Sequence, residues 1–257
     1  MIDVTALRVY WQPGCSSCLK TKEFLTRHGL DFTSINVRTE PGAADELARL
    51  GARSIPVVAR GDDFVYGQDL GDVARFVGVA PPGPRLPADA LLERLVALLR
   101  AAGRYTAQLP ADRLETLLPG RSDRAWIDLA YHPAMIVAAF LAAARGGTLE
   151  FEYFERRPQG AQRSADAVAL ALQAAAAELE IWWRRVSLHG LPEQVVTYYG
   201  ERPLVSVLER TAWHVAQHCR QLESLVEQAG RTPDGRLGTA ELAGLPLPEG
   251  LWDQEVQ

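Results

Sequence analysis

The chain has 257 residues, of which 47% are hydrophobic and 23% are charged, and its formal net charge is −5 at pH 7. This composition is typical of a globular protein with one large domain or two ordinary ones. The acidic balance disfavours a nucleic-acid partner, because nucleic-acid-binding modules carry clustered positive charge. The apolar stretch from Met135 to Ala144 is about half the length that spans a bilayer. With three cysteines and no visible secretory signal, we expect a cytoplasmic protein without a membrane partner.

Residues 1–80 alternate short β-type runs with helical stretches. In chain order the predicted strands and helices cover residues 7–10, 15–28, 32–37, 43–50, 56–59, 63–66 and 70–77. The order βαβαββα within about 80 residues predicts a small α/β sandwich.

A linker at residues 81–87 follows, because its prolines can continue neither a helix nor a strand. Beyond it, apolar residues at helical spacing predict four long helices over 88–107, 124–144, 162–188 and 204–229, and hence an all-α four-helix bundle over 88–230. Turns are expected at residues 119–120, 146–147 and 190–203. Residues 231–257 are rich in glycine and proline, and we expect an extended tail packed on the bundle.

A C-x-x-C motif, Cys15-Ser16-Ser17-Cys18, lies where the first predicted strand turns into the first helix. Thiol–disulfide exchange needs one thiolate of lowered pKa and a second sulfur that resolves the mixed disulfide. A helix start favours the Cys15 thiolate through free N–H groups and the helix dipole, and Cys18 lies one turn later. The alternative is half of a zinc site, but the chain contains no second C-x-x-C. Lys20 and Lys22 follow, and we expect them on a solvated helix face.

Three further stretches accompany this motif: Val9-Tyr10 before it, Asn36-Val37 after the second predicted strand, and Ser54 to Val58 around a proline. Together they resemble the glutaredoxins of the thioredoxin fold over nearly all of residues 5–79. The resemblance implies a thiol–disulfide oxidoreductase in which Cys15 and Cys18 are catalytic. It also implies that Pro56 is a cis-proline facing Cys15, that the backbone of Ile55 is free to pair with the substrate, and that Tyr10 belongs to the substrate site.

Two segments depart from the glutaredoxins that use glutathione. A basic residue usually precedes their first cysteine, whereas this chain has Trp11-Gln12-Pro13-Gly14. Their paired glycines after the hairpin are reduced to Gly67-Gln68-Asp69. These departures disfavour glutathione and leave an NrdH-like or a specialised partner as the alternatives.

His214 and His218 lie four residues apart in the last predicted helix, so both imidazoles share one helix face and can share a metal ion. The alternative is a packed, hydrogen-bonded pair; no glutamate follows His214, so this is not the metalloprotease motif. His28 and His189 lie near helix ends beside glycines, where we expect solvent or capping roles. Cys219 is expected to be a small buried residue.

The last predicted helix, together with Tyr131-His132-Pro133 and the ending at residues 245–253, resembles the DinB-like bundles over about residues 86–254. The resemblance implies a divalent metal held by His132, His214 and His218, zinc first, with nickel, iron or manganese as alternatives. Three histidines with open positions for water or substrate form a catalytic rather than a structural geometry. Pro133, directly after the first of these histidines, departs from the family.

The leading hypothesis is a two-domain thiol protein in which Cys15 attacks a disulfide or thiol adduct and Cys18 resolves it. The metal would activate a low-molecular-weight thiol or bind its conjugate, because zinc favours thiolate over thiol. The partner is thus a low-molecular-weight thiol or a protein disulfide. The alternative is a redox domain fused to a bundle that binds a metal or ligand without catalysis, or that pairs into a homodimer. Tyr198 and Tyr199 are expected to be core or pocket-rim aromatics.

Overall fold

The computed structural model describes residues 6–189 and 192–253, with no side chains described at 187–189. The chain divides into two compact units. Unit 1 contains the residues up to Pro84 and those from Pro248 onward, and unit 2 is Arg85–Leu247. Along the chain, unit 2 is therefore an insertion into unit 1.

Unit 1 contains a four-stranded mixed sheet in the order β2-β1-β3-β4. Its strands are β1 (Leu7–Trp11), β2 (Phe32–Asn36), β3 (Val57–Arg60) and β4 (Asp63–Tyr66). β1 pairs in parallel with β2, and the other two neighbouring pairs are antiparallel. A parallel pair needs a crossover connection, which helix α1 (Ser16–Arg27) supplies. The predicted βαβαββα order is confirmed.

The inner strand β1 carries the core of unit 1. All five of its residues are buried, because a strand with neighbours on both sides and helices on both faces exposes neither face. Val9 packs with Phe24 of α1 on one side of the sheet. Tyr10 packs with Val57 on the other side, as the alternation of side chains along a strand requires.

Two further helices of unit 1 have clear sequence limits. Helix α2 (Ala43–Leu50) ends at Gly51, whose left-handed φ of 78° is available to glycine at little cost. Helix α3 (Leu70–Val77) begins at Asp69, whose carboxylate accepts a hydrogen bond from the backbone N–H of Gly71 at 2.8 Å. These capping residues can be recognised in the sequence, and both helices have the predicted bounds.

Unit 2 contains four long helices: α4 (Ala88–Ala107), α5 (Trp126–Ala144), α6 (Ala165–His189) and α7 (Leu204–Gln228). α4 and α5 each pack against both α6 and α7. Their buried residues follow the helical period; Leu91, Leu95 and Leu98 of α4, for example, are fully buried. The long helices lie where the periodicity predicts them.

Unit 2 also contains a small sheet that the sequence reading does not predict. Its order is β5 (Thr148–Leu149), β6 (Gln194–Thr197) and β7 (Gly200–Pro203). β5 pairs in parallel with β6, and β6 and β7 form an antiparallel hairpin. The prediction of a turn over 190–203 is therefore wrong for residues 194–203. Short strands beside glycine and proline carry too weak a pattern to be separated from turns.

The predicted C-terminal tail divides between the two units. Residues 231–247 belong to unit 2, where they include a short helix α8 (Thr239–Leu242). The described residues from Pro248 to Asp253 belong to unit 1 instead. The expectation of a tail packed on the bundle along its whole length is corrected by contacts with α1, which are described below.

One described helix, α5, is long and apolar enough to cross a membrane by length and composition alone. Its mean hydropathy is 1.6, and 78% of the window that meets the criterion is buried inside the protein. A core helix of a globular protein meets the same criterion, so α5 alone is weak evidence for a span.

Candidate functional site

The cysteine pair lies at the start of α1. Cys15 is the N-cap residue of this helix and is partly exposed, whereas Cys18 is fully buried. The two residues are joined by a disulfide with a Cα–Cα distance of 5.2 Å. The sulfur of Cys15 accepts a hydrogen bond from the backbone N–H of Cys18 at 3.2 Å. A thiolate at this position would receive the same bond and the positive end of the helix dipole, both of which lower a thiol pKa.

The loop before β3 contains the cis Ile55–Pro56 peptide bond that the resemblance implies. A side chain at Gly67 would meet the Thr21 hydroxyl oxygen at 2.6 Å and Pro56 Cγ at 2.8 Å. The Thr21 hydroxyl donates to the carbonyl oxygen of Gly67 at 3.0 Å. The absence of a side chain at Gly67 thus allows the proline loop to approach α1, the helix that begins with the cysteine pair.

The structure bears on two predicted substrate contacts. The Ile55 carbonyl oxygen accepts a hydrogen bond from Gln68 Nε2 at 2.8 Å, and pairing of the Ile55 backbone with a substrate stays a prediction. Tyr10 is fully buried, and burial raises the pKa of its hydroxyl. It acts as a core residue because its position on the inner strand has no access to solvent.

The two lysines of α1 are buried, not solvated as predicted. Lys22 Nζ lies 2.8 Å from a carboxylate oxygen of Asp253 and 3.6 Å from the ring centroid of Trp11. Glu23 accepts hydrogen bonds from the backbone N–H groups of Glu249 and Gly250, at 2.6 and 2.8 Å. We call residues 248–253 the C-terminal strap. It binds to α1 one to two turns after the cysteine pair.

His132 of α5 and His214 and His218 of α7 form one cluster in unit 2. One potential ligand atom from each side chain lies within 4.8 Å of the others, and all three residues are buried. The His214–His218 and His132–His218 ring centroids are 4.8 and 4.9 Å apart. α5 and α7 pack together, and the spacing of four residues places the α7 pair on one face. The three residues named as metal ligands are therefore brought together.

The protonation of the cluster suits metal binding. His218 Nδ1 donates to the side-chain oxygen of Gln221 at 2.7 Å, which leaves a lone pair on Nε2. Nε2 of His218 and Nδ1 of His132 are buried and have no hydrogen-bond partner among the described residues. Burial lowers the pKa of His218 to about 4 and holds that of His132 well below its usual value. The neutral form, which binds metals, therefore prevails at pH 7.

An aromatic and cationic shell surrounds the cluster. Phe154 stacks on His214 with centroids 6.1 Å apart and lies 6.0 Å from His132. Arg210 lies over the Phe154 ring at 5.1 Å, and the Tyr198 hydroxyl accepts a hydrogen bond from Arg210 at 3.0 Å. Sequence reasoning missed Arg210 and Phe154. The sequence offered one indication that Arg210 lies near the cluster: it precedes His214 by four residues and so shares its helix face.

The remaining described cysteine and histidine, Cys219 and His28, have structural roles. His28 is the C-cap residue of α1, and its Nδ1 contacts the Phe24 carbonyl oxygen at 2.9 Å, as expected for a capping position. Cys219 is fully buried, and its thiol donates to the Leu98 carbonyl oxygen at 3.1 Å. Burial raises its pKa, so it is an inert core thiol. The side chain of His189 lies outside the described residues.

A dithiol at a helix start, beside a cis-proline loop in a mixed four-stranded sheet, defines a thiol–disulfide redox domain of the glutaredoxin class. Comparisons agree: the glutaredoxin family profile matches residues 7–65. Glutaredoxin-like protein NrdH of Salmonella typhimurium is 37% identical over 57 residues, which are 22% of this chain and 70% of that protein. The Escherichia coli K12 protein of the same name is 39% identical over 56 residues, 22% of this chain and 69% of that protein.

An uncharacterized glutaredoxin-like 8.6 kDa protein of Clostridium pasteurianum is 26% identical over 72 residues, which are 28% of this chain and 96% of that protein. No solved structure matches the chain significantly. The chain belongs to the glutaredoxin-like NrdH family, and the profile match lies within unit 1. Unit 2 is helix-rich and additional to the matched region.

Proposed function

We propose that this protein is a cytoplasmic thiol–disulfide oxidoreductase whose unit 2 binds a divalent metal, zinc first, and through it a low-molecular-weight thiol or its conjugate. The observation that carries the redox part is the Cys15–Cys18 disulfide at the start of α1, with Cys15 partly exposed and Cys18 buried. This asymmetry supports attack by Cys15 and resolution by Cys18, because only an accessible sulfur can meet a substrate disulfide.

The redox cycle balances as follows. In the reduced form, the Cys15 thiolate attacks one sulfur of the substrate disulfide, forming a mixed disulfide and releasing the first substrate thiolate. The Cys18 thiolate then attacks Cys15, releases the second substrate thiolate and forms the Cys15–Cys18 disulfide. The substrate has gained two electrons, and the leaving thiolates take up protons from water. A dithiol reductant returns the pair to the reduced form by the reverse exchange.

The residues of unit 2 fit a metal of the zinc type. The donor set is three imidazoles, and the Gln221 amide orients one of them, as the outer partners of metal-binding histidines do. The resemblance of residues 86–254 to DinB-like bundles supports the same three ligands. A bound divalent metal would stabilise the thiolate form of a small thiol at neutral pH. Phe154 packs against His132 and His214, and Tyr198 packs against Phe154, so the cluster has an aromatic wall on this side.

Metal content and disulfide reduction, measured on the same preparations, test the two parts separately. The untagged protein should contain about one equivalent of metal, a His214→Ala/His218→Ala double variant should contain none, and a His28→Ala control should match the parent. Cys15→Ser should lose dithiol-dependent disulfide reduction, whereas Cys18→Ser should accumulate the mixed disulfide. Absence of metal after reconstitution with zinc, nickel, iron and manganese would contradict the metal part. Undiminished reduction by Cys15→Ser would contradict the redox part.

A further inference from the structure

Arg210 is a buried cation beside the histidine cluster. It precedes His214 by one turn of α7, so the two side chains share a helix face. Arg210 is only 5% exposed to solvent. The guanidinium carbon faces three aromatic rings, those of Phe154 at 5.1 Å, Tyr199 at 5.5 Å and Tyr198 at 5.9 Å.

The guanidinium of Arg210 is only partly satisfied. Nη2 donates to the Tyr198 hydroxyl, but Nε and Nη1 are buried and have no hydrogen-bond partner among the described residues. An arginine stays protonated in proteins, and a buried charge is ordinarily paired with a carboxylate or another anion. Aromatic faces compensate part of the cost of burial, but they accept none of the remaining N–H donors. Two guanidinium nitrogens therefore keep donors for an oxyanion.

The surroundings add positive charge. Arg124 is also largely buried; its Nε has no partner among the described residues, and its pKa is lowered to about 10, first by burial. Arg124 Nη2 donates to the carbonyl oxygen of Phe154 at 2.8 Å, and Arg210 lies over the ring of the same residue. Because that ring packs against His132 and His214, both guanidinium groups lie beside the cluster.

The carboxylates near this region are already engaged with other arginines. Asp123 pairs with Arg121 at 2.8 Å and with Arg157 at 3.2 Å. Asp128 pairs with Arg163 at 2.8 Å. The histidine cluster is thus flanked by two cations, Arg124 and Arg210, and a bound metal would add further positive charge. A ligand with a negative charge would balance this positive charge and pair with the remaining N–H donors of Arg210.

We infer that Arg210 binds a carboxylate of the small molecule that the His132–His214–His218 site takes, so that this ligand is an acidic thiol rather than a neutral one. The inference rests on the proposed function of the site and specifies its substrate class. A thiol at the histidines and a carboxylate at Arg210 would fix the ligand at two points. Charge-assisted hydrogen bonds in a buried site are worth a preference of about tenfold or more over an uncharged isostere.

The full-length protein loaded with Co²⁺ tests this inference. The probes are 3-mercaptopropionate and its neutral isostere 3-mercaptopropionamide, and the readout is the change in the cobalt absorption spectrum on titration. The ratio of the two dissociation constants is compared between variants, so that the intrinsic difference between the two thiols cancels. Relative to the parent, Arg210→Gln should reduce the preference for the carboxylate by about tenfold or more, while cobalt stoichiometry and amide affinity stay unchanged. Arg100→Gln, an arginine with a 60% exposed side chain, serves as the control.

Each outcome decides. An equal preference in the parent and in Arg210→Gln would overturn the inference, and so would a fall in thermal stability without a change in preference, which would mark Arg210 as a purely structural aromatic contact. Arg210→Lys keeps the charge and should retain part of the preference, which guards against misfolding of the glutamine variant. If Co²⁺ fails to bind, the proposed function fails. Arg210 is then tested without metal: propionate, but not propionamide, should raise the melting temperature of the parent and not of Arg210→Gln, and absence of this difference overturns the inference.

Discussion

The two candidate sites differ in how the chain builds them. The cysteine pair is contiguous: one helix start orients both sulfurs, and Cys15 remains partly accessible. The histidine cluster joins two helices, with His132 on α5 and the pair on α7, and all three residues are buried. The first site therefore depends on local backbone geometry, whereas the second depends on the packing of α5 against α7. Loss of packing should therefore disrupt the histidine cluster before it affects the thiol chemistry of the cysteine pair.

The largest expected effect sharpens this contrast at the histidine cluster. Gln221→Leu removes the acceptor that orients His218, so the affinity for Zn²⁺ should fall by about 10–100-fold. Competition with a chromogenic chelator measures it. Disulfide reduction by the cysteine pair should not change, because that site is built within α1. An unchanged zinc affinity would mean that packing alone orients His218.

The next effect concerns the strap in unit 1. Asp253→Asn leaves Lys22 buried without its carboxylate; the two side chains are 7% and 4% exposed. Breaking such a pair should lower the free energy of unfolding of unit 1 by about 3 kcal/mol. Hydrogen exchange of the β1 amides in urea measures this change. Adding Lys22→Met should recover part of the loss. The control is Glu249→Gln, which breaks an exposed ion pair with Arg27 and should change the free energy of unfolding of unit 1 by less than about 0.5 kcal/mol. A small effect of Asp253→Asn would show that the strap contributes little.

A pH effect distinguishes the two units in the metal-free protein. The unfolded chain protonates these histidines near pH 6.5, whereas in the folded protein the pKa of His218 is lowered to about 4. Between these values the unfolded state binds more protons, so the stability of unit 2 should fall as the pH drops through this window. His218→Gln should reduce the slope by about 1.4 kcal/mol per pH unit. Urea unfolding at several pH values, followed through the amides of α7, measures this slope. An unchanged slope in His218→Gln would contradict the lowered pKa of His218.

The smallest effect is a difference in thiol reactivity. After reduction, Cys15 should react with a thiol reagent in the native protein, because it is partly exposed, whereas the fully buried Cys18 should react more slowly. Cys219 should react only after denaturation, because burial raises its pKa and its thiol donates to the Leu98 carbonyl. Mass spectrometry of the labelled peptides counts the modified cysteines. Native labelling of Cys219 would show that α4 and α7 separate readily.

The sequence predicted what depends on neighbouring residues. The bounds of α2 and α3, the C-x-x-C at a helix start and the spacing of His214 and His218 follow from local patterns. It did not reveal what depends on distant ones. Tyr10 looked available because nothing in its own strand indicates that β1 is an inner strand. Lys22 looked solvated because its partner, Asp253, is 231 residues away in the chain. Arg210 showed a helical spacing to His214 but no sign of the aromatic rings around it.

The strap has a consequence for the order in which the protein is made. Lys22 emerges early in synthesis, but the carboxylate that neutralises it follows only after all of Arg85–Leu247 has been translated. Until then the Lys22 ammonium group lacks the Asp253 carboxylate, and the surface of α1 that the strap will cover is exposed. The redox unit, although translated first, therefore acquires its last native contacts after unit 2. A fragment that stops at Pro84 would remain in that early state.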